Sequence, residues 1–315
     1  MTKHRIRHLI SLDDLSDTDV RDIVERGAVL ARRAEAGQGV GNTALAGDVV
    51  GVYFRKTSTR TRTAFSAGAL RLGAGVLSYG PDDLQLNTGE TTEDTGRVMS
   101  GMLDVLVART AGDPREMRAW AAQRRMAVVN AMSADEHPTQ GLTDLTTLAV
   151  RFGTVDGLSV LYVGEGNNSA AALALGLSRH RGVRLELRTP AGYGLAPAVL
   201  ARAREQAAAH GSTVAERHDL ADLPADFDAA YTTRWQTTGT SKPDPHWRQA
   251  FAPFQVSGQL MERAPKAVFM HDLPAHRGEE VTAEVLDGPS SIAFQQAENK
   301  LYSAMAVLEW CRDAH

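Results

Sequence analysis

The chain has few thiols, few aromatic side chains and no strong net charge. Its single cysteine, Cys311, cannot form an intrachain disulfide and leaves no thiol cluster for zinc. The net charge of −4 gives no overall positive field that would attract nucleic acid or an anionic membrane. No apolar run approaches the roughly 20 residues of a membrane span, and no signal-peptide pattern opens the chain. We therefore expect a cytoplasmic protein without nucleic-acid or membrane partners, and nothing in the sequence suggests a metal or a cofactor.

Short apolar runs alternate with helical patterns along the 315 residues, which is typical of parallel α/β domains. The predicted strands fall at 49–54, 75–79, 104–109 and 126–132, and then at 158–164, 183–190, 212–218, 228–233 and 267–274. This length suits two domains of about 150 residues each. We predict two doubly wound parallel-sheet domains, residues 1–148 and 149–292, followed by a C-terminal helix within 293–315 that packs back on the first domain.

The polar motifs of the chain follow the predicted strands, at the end of the sheet where parallel sheets bind ligands. FRKTSTRTRT (54–63) follows the first strand, and AMSADEHPTQ (131–140) follows the fourth. VGEGNNSA (163–170), TTRWQTTG (232–239) and MHDLPAH (270–276) follow strands of the second series. Because several unusual polar clusters share one topological position, we expect them to be functional.

The STRTR motif (58–62) carries hydroxyl and guanidinium groups where a strand ends and a helix begins. Free backbone N–H groups at the positive end of the helix dipole would converge there with these side chains. This pattern predicts a phosphate-binding site. From these residues alone, a capping serine followed by a solvated helix face is the alternative.

STRTR, Arg109 at the end of the third strand and HPTQ (137–140) together resemble the aspartate and ornithine carbamoyltransferase family. The resemblance extends from HLISLDDLS (8–16) to the last helix and implies an active site in the cleft between two domains. It also implies carbamoyl phosphate as the donor substrate. The residues that it places on carbamoyl phosphate are Ser58, Thr59, Arg60, Thr61, Gln85, Arg109, His137 and Gln140.

The reaction of this family explains why it needs such residues. An amine attacks the carbonyl carbon, negative charge grows on the carbonyl oxygen and phosphate leaves, so donors fixed around that oxygen speed the reaction. The resemblance places Arg109, His137 and Gln140 on the carbamoyl group, with Arg109 bridging to the phosphate. Lys300 stands where ornithine-type enzymes have an arginine that touches the carbamoyl oxygen, and it keeps the charge without the forked geometry. Taken alone, His137 would more often be a core or capping histidine.

The acceptor motifs combine features of both branches of the family. Asn167 and Asn168 match the ornithine-type motif, in which the second asparagine meets the α-amino acid end of the acceptor. Thr233 stands where ornithine-type enzymes have an aspartate for the α-ammonium group. Arg234 and Gln236 match aspartate-type residues that hold the acceptor's carboxylates. An ion pair with a nearby acid is the alternative for Arg234.

Asp272 stands where ornithine-type enzymes have a cysteine that contacts the nucleophilic amine, and where aspartate-type enzymes have proline. A carboxylate there would favour the ammonium form of the amine and could accept its proton. The resemblance implies Arg109, His137, Gln140, Asp272 and Lys300 as catalytic residues. The residues that it places on the acceptor are Asn167, Asn168, Thr233, Arg234, Gln236, Thr237, Thr238, His271, Asp272 and Leu273.

The loop DDLQLNTGETTEDT (82–95) resembles the family segment that reaches into a neighbouring subunit's site, with Thr88 in place of the aspartate-type lysine. This implies a homotrimer or a multiple of one. A polar surface loop that caps the next helix is the alternative.

We predict a carbamoyltransferase that acts on the amine of a small amino-acid-like acceptor with at least one carboxylate. The mixed acceptor motifs favour a short diamino acid or another noncognate amino acid over both ornithine and aspartate. Ornithine carbamoyltransferase and aspartate carbamoyltransferase are the alternatives within the family. A catalytically silent homologue that only binds these ligands is the alternative from another class.

Overall fold

The computed structural model describes residues 6–123, 125–237 and 240–314. The chain divides into two compact units, Met1–Val150 with Asn299–His315, and Arg151–Glu298. Within the described ranges, no helix combines the length and the apolar character that crossing a membrane would require.

The first unit is built on a four-stranded parallel sheet with helices between its strands. Its elements in chain order are α1 (Asp17–Glu35), β1 (Val49–Phe54), α2 (Arg60–Arg71), β2 (Gly75–Tyr79), α3 (Thr92–Met99), β3 (Val105–Arg109), α4 (Arg115–Ala121) and β4 (Ala127–Asn130). The strand order is β2-β1-β3-β4, and all pairs are parallel. Strands β3 and β4 are buried throughout, as expected for a parallel sheet covered on both faces.

Helix α5 (Pro138–Phe152) follows β4 and is buried on nearly all sides from Pro138 to Ala149. Its threonines satisfy their hydroxyl groups within the helix, since Thr143 donates to the Thr139 carbonyl at 2.8 Å and Thr147 to the Thr143 carbonyl at 2.8 Å. This internal bonding lets a helix rich in threonine lie in the interior.

The second unit is built on a five-stranded parallel sheet of order β7-β6-β5-β8-β9. Its elements in chain order are β5 (Ser159–Val163), α6 (Asn168–Leu177), β6 (Arg184–Arg188), α7 (Pro197–Ala209), β7 (Thr213–Arg217), β8 (Ala229–Thr232), α8 (Trp247–Phe251), α9 (Gly258–Met261), β9 (Val268–His271) and α10 (Ala283–Leu286). The prediction of two parallel α/β sheets flanked by helices is confirmed.

The last helix, α11 (Ala293–Arg312), is longer than its apolar pattern predicts. Its C-terminal part belongs to the first unit, where Glu309 pairs with Arg26 of α1 at 2.6 Å. Asn299 of α11 donates to Thr147 of α5 at 3.1 Å.

Each sheet has one place where the direction of strand addition reverses. In the first unit this lies between β1 and β3, and in the second between β5 and β8. Ligands of open parallel sheets bind beyond the carboxyl ends of the strands at such reversals. The STRTR motif follows β1 and Arg109 ends β3, whereas VGEGNNSA follows β5 and TTRWQTTG follows β8. The strand order therefore places the polar motifs at the positions best suited to bind ligands.

Candidate active site

The STRTR motif forms the start of α2. Thr59 is the residue before the first helical turn, and within the described ranges its side chain makes no capping hydrogen bond to that turn. The capping position is thus held by a threonine and not by the serine of the alternative, and the N–H groups of the first turn form the positive end of the helix dipole. Arg62 lies against Phe54, with its guanidinium carbon 5.2 Å from the ring centroid. Arg55 is held by Glu116, at 2.5 and 3.1 Å.

Four polar side chains of the first unit are almost fully buried, and the charges of Arg109 and Lys300 both act on His137. Arg109, His137, Gln140 and Lys300 have at most 8% of their surface exposed. Lys300 donates to the side-chain oxygen of Gln140, and Gln140 donates through its amide nitrogen to Asp144 Oδ1 at 2.6 Å. Two buried cations gathered with an imidazole and a primary amide are typical of an anion-binding site.

His137 is neutral in this cluster. Burial, with the cations of Lys300 and Arg109, lowers the pKa of the His137 imidazole well below its ordinary value. The hydroxyl of Thr139 lies 3.2 Å from His137 Nδ1. When this hydroxyl donates to Nδ1, the imidazole carries its proton on Nε2 and can donate it to a ligand.

In the second unit, Thr233 follows β8 and is fully enclosed. Its hydroxyl oxygen lies 2.9 Å from the Tyr162 hydroxyl and accepts a hydrogen bond of 2.9 Å from the Asn167 amide. Asn167 also caps α6, since its side-chain oxygen accepts from the backbone N–H groups of Ser169 and Ala170 at 3.0 and 3.1 Å. Both side chains are thus engaged in fixing the loop before α6.

Asp272 follows β9 and is oriented by the start of α6. Ser169 Oγ donates to Asp272 Oδ2 at 2.9 Å, and the Asp272 side chain is 17% exposed. The neighbouring His271 is enclosed: its Nδ1 accepts from the Leu273 N–H at 2.8 Å and its Nε2 lies 3.1 Å from Glu280 Oε1. Leu273 has a φ of 49°, a left-handed conformation that is uncommon for a bulky side chain and typical of functional turns.

Arg234 and Gln236 lie in the segment between β8 and α8. Among the described residues, Arg234 has no ion-pair partner, and its buried Nε makes no hydrogen bond. Gln236 donates to the Thr240 carbonyl at 2.8 Å, and Thr240 donates to the Thr237 carbonyl. Thr238 lies outside the described residues. Within the described part of the chain, no acidic side chain pairs with Arg234, so the ion-pair alternative for this residue is not supported.

The 82–95 loop forms a 3-10 turn at Gln85–Thr88 followed by α3. Thr88 donates to the carbonyl and to the side-chain oxygen of Gln85, at 2.8 and 2.9 Å. The Thr91 side chain caps α3 by accepting from the Asp94 N–H at 3.1 Å. Capping, the alternative for this loop, is present, and its reach into a neighbouring subunit stays a prediction.

One group of possible metal ligands occurs in the described ranges. Ligand atoms of His276, Glu279 and Glu280 lie within 4.8 Å of one another. Glu280 already accepts from the backbone N–H of His276 at 2.5 Å and contacts His271, so its visible role is to hold this turn.

Two family models match the chain along nearly its whole length. The carbamoyl-P binding domain of aspartate/ornithine carbamoyltransferase matches residues 7–149, and the Asp/Orn binding domain matches residues 156–311. The chain belongs to the aspartate/ornithine carbamoyltransferase family. It is therefore an enzyme that transfers a carbamoyl group, as the sequence motifs predicted.

Individual relatives agree with this assignment. The chain is 40% identical over 309 residues to the ornithine carbamoyltransferase of Symbiobacterium thermophilum, covering 98% of each chain. It is also 40% identical over 307 residues to that of Mycobacterium leprae, covering 96% of this chain and 98% of the relative. Its structure is similar to that of ornithine carbamoyltransferase from Pyrococcus furiosus, with a TM-score of 0.91, 35% identity, and 99% and 98% of the two chains covered.

Several contacts of this family member were not predicted from the sequence. Asp144 follows Gln140 by four residues, so helical spacing could have revealed that pair. The contacts of Ser169 with Asp272 and of Glu280 with His271 have no such local signal. They depend on where different elements are placed in the fold.

Proposed function

We propose that the protein carbamoylates the side-chain amine of a small diamino acid, with ornithine as the first acceptor to test. The observation that carries this proposal is Asp272, a partly exposed carboxylate oriented by Ser169 at the carboxyl end of β9. A carboxylate at this position attracts an ammonium group and repels the second carboxylate of aspartate. The names of relatives that are 36 to 40% identical support ornithine within the diamino acids.

A shorter diamino acid is the second candidate, and two residues favour it. The carboxylate of Asp272 extends farther from the backbone than the ornithine-type cysteine would, so it would hold the reactive amine farther from the turn. Thr233 offers no negative charge to an α-ammonium group, and its hydroxyl already contacts Tyr162 and Asn167. Asp272 and Thr233 thus favour a noncognate acceptor, whereas the names of the relatives favour ornithine.

For the donor, we assign the phosphate group to the first turn of α2. Arg60 opens this helix, and Ser58, Thr59 and Thr61 supply hydroxyl groups around the same turn. The helix N-terminus and a guanidinium together suit a phosphate that gains charge as it leaves.

We assign the carbamoyl oxygen to the buried cluster that contains Arg109, His137 and Gln140. The neutral His137 imidazole can donate from Nε2, and Gln140 is held in place by Lys300 and Asp144. Because these donors are fixed before the reaction, they stabilise the growing charge without reorganisation. Lys300 and Arg109 add positive charge at the same place.

For the acceptor, we assign the α-carboxylate to Arg234 and Asn168, and the reactive amine to Asp272 with the Leu273 carbonyl. The guanidinium of Arg234 lacks an ion-pair partner among the described residues and offers forked donors to a carboxylate. His271 has both ring nitrogens engaged, so its part is to hold the Asp272 turn.

In the proposed reaction, Asp272 holds the ammonium form of the acceptor and accepts a first proton, which leaves a neutral amine. The nitrogen lone pair then forms the C–N bond as the C–O bond to phosphate breaks. Phosphate leaves with that bonding pair and takes the second proton from the nitrogen, so that the ureido N–H remains. No step requires an enzyme-bound covalent intermediate.

We also propose that the protein is a cytoplasmic homotrimer or a multiple of one. Strand β2 is largely exposed, with Leu77 at 48%, and so are Val98 at 51% and Met102 at 73%. Exposed apolar side chains of this size are what a subunit interface would cover. Light scattering after size-exclusion chromatography measures the mass that decides this.

The test of the proposed function is a steady-state assay with carbamoyl phosphate and an acceptor panel. The panel contains ornithine, 2,4-diaminobutyrate, 2,3-diaminopropionate and aspartate, and both phosphate release and ureido product are measured. We expect kcat/KM for the best diamino acid to exceed that for aspartate by at least about 100-fold. A preference for aspartate contradicts the acceptor class, and donor binding without transfer to any amine indicates a silent homologue.

A further inference from the structure

Lys242 is a buried cation in the segment that follows the TTRWQTTG motif. Its side chain is 4% exposed, and its ammonium group donates to the carboxylate of Glu165. Three aromatic rings surround the same ammonium group: the centroids of Tyr193, Trp247 and Phe251 lie 4.9, 5.3 and 4.9 Å from Nζ. A desolvated cation among ring faces and next to a carboxylate is held strongly.

These rings form one packed cluster that includes part of the acceptor motif. Phe251 lies at its centre, with ring centroids 4.8 Å from Tyr193, 5.3 Å from Trp247 and 5.6 Å from Trp235. Trp235 is the direct neighbour of Arg234 in the chain. The cluster that encloses Lys242 thus also fixes the backbone next to the proposed carboxylate-binding arginine.

Glu165, the anionic partner, lies on a loop with little freedom to move. Its carbonyl accepts from the Tyr162 hydroxyl at 2.6 Å, and the N–H of Gly166 donates to the Tyr193 carbonyl at 2.8 Å. A Cβ atom at Gly166 would lie 2.2 Å from the Leu195 nitrogen, so the two loops touch too closely for any side chain. Burial raises the pKa of the Glu165 carboxyl, and the bond from Lys242 opposes this rise.

Residues 233–246 connect β8 to α8 and contain no helix or strand in their described part. They carry five of the predicted acceptor contacts, Thr233, Arg234, Gln236, Thr237 and Thr238. Within the described residues, the ion pair that ties this segment to the rest of its unit runs from Lys242 to Glu165. The position of the acceptor contacts therefore depends on a bond made by a residue that is not itself one of them.

We infer that Lys242, paired with Glu165 inside the aromatic cluster, is a positioning residue that sets Arg234 for the carboxylate of the acceptor. This inference rests on the proposed acceptor role of Arg234. Lys242 then affects the affinity of the protein for the acceptor, and it makes no contact with the donor.

The test compares K242M, K242R and E165Q with K266M, which removes an equal charge from an exposed site in the same unit. In K242M, the KM for the best acceptor should rise about 10- to 100-fold, as for the loss of one partner of a buried ion pair. Turnover at saturating acceptor and the Kd for carbamoyl phosphate should stay within about threefold of wild type. K242R should recover much of the affinity, E165Q should resemble K242M, and K266M should resemble wild type.

Hydrogen–deuterium exchange of peptides that cover 233–246 gives a second readout that needs no acceptor. These peptides should exchange faster than in wild type in K242M and E165Q, and at the wild-type rate in K266M. Unchanged exchange together with an unchanged acceptor KM overturns the inference. A purely structural role would lower Tm and turnover without the selective KM effect, and this outcome overturns it as well. If the wild type transfers carbamoyl to no amine, the proposed function fails, and the exchange result still decides whether the ion pair holds the segment.

Discussion

Ser169 Oγ donates a hydrogen bond of 2.9 Å to Asp272 Oδ2. This bond joins the first turn of α6 to the end of β9, two elements 103 residues apart in the chain. Asp272 Oδ1 lies 3.6 Å from His271 Nδ1, which already accepts from the Leu273 N–H, so this oxygen stays available for another partner while the direction of the side chain is fixed. A fixed anion of this kind is suited to orient an ammonium group.

Replacing Asp272 by Asn tests the role of that charge. D272N keeps the shape of the side chain and can keep the bond from Ser169, but it can neither attract an ammonium group nor accept its proton. We expect kcat/KM for the best diamino acid to fall by about 100-fold or more, as for the loss of a general base. D226N removes an exposed carboxylate of the same unit and should match wild type. Wild-type kcat/KM in D272N would refute the assigned role.

Replacing Arg234 by Gln tests recognition of the acceptor's carboxylate. The KM for a diamino acid should rise by about 100-fold in R234Q, because a charge-assisted forked pair is lost. A diamine of the same length without a carboxylate should be affected little, since it offers this guanidinium nothing to bind. R234K should recover part of the affinity. Equal losses for the diamino acid and the diamine contradict the assignment.

Replacing Arg60 by Ala tests the donor site. We expect kcat/KM to fall by at least about 1000-fold with every acceptor, because the departing phosphate loses a guanidinium partner. The Kd for inorganic phosphate, measured by calorimetry, should rise in parallel. K56A removes an exposed cation of the same motif and serves as the control. Phosphate affinity that is unchanged in R60A would place the phosphate elsewhere.

Because its carboxyl is buried, Glu136 should make the free energy of unfolding depend on pH. Its carboxyl accepts from the Leu12 N–H at 2.8 Å and from the Ser11 hydroxyl, and burial raises its pKa from 4.5 to about 7. The folded state therefore retains a proton that the unfolded chain releases. The resulting stabilisation is complete below pH 4.5 and is lost as the pH rises through 7.

Replacing Glu136 by Gln keeps a neutral side chain at every pH. Relative to wild type, the free energy of unfolding of E136Q should gain up to about 3 kcal/mol between about pH 5 and pH 8. Urea unfolding at the two pH values measures this difference, with E262Q as an exposed control. A difference between E136Q and wild type that does not change with pH shows that Glu136 does not titrate in this range.

The sequence predicted the strands well and the long-range contacts poorly, for a physical reason. The apolar run 49–54 coincides with β1, because a strand buried in a parallel sheet must be apolar at consecutive positions. The predicted strand 267–274 is shorter in the structure, where β9 ends at His271 and the chain turns at Leu273. The local apolar pattern contains no signal for that turn.

Contacts within the site were predictable only where they were local or matched a known motif. The pair of Gln140 and Asp144 follows from helical spacing, but Lys242 and Glu165 are 77 residues apart. That ion pair arises because β5 and β8 are neighbours in the sheet, so the loops after them meet. The strand order decides this neighbourhood, and no short stretch of sequence encodes it.

The most direct test is to follow the bond that the reaction forms. Carbamoyl phosphate labelled with 13C is incubated with the protein and with the best diamino acid labelled with 15N on its side-chain amine, and the product is examined by NMR. Carbamoyl transfer to that amine predicts a ureido carbon with one-bond coupling to the 15N label. A carbamoyl carbon bonded to the unlabelled α-nitrogen, or release of phosphate without a ureido carbon, would contradict it.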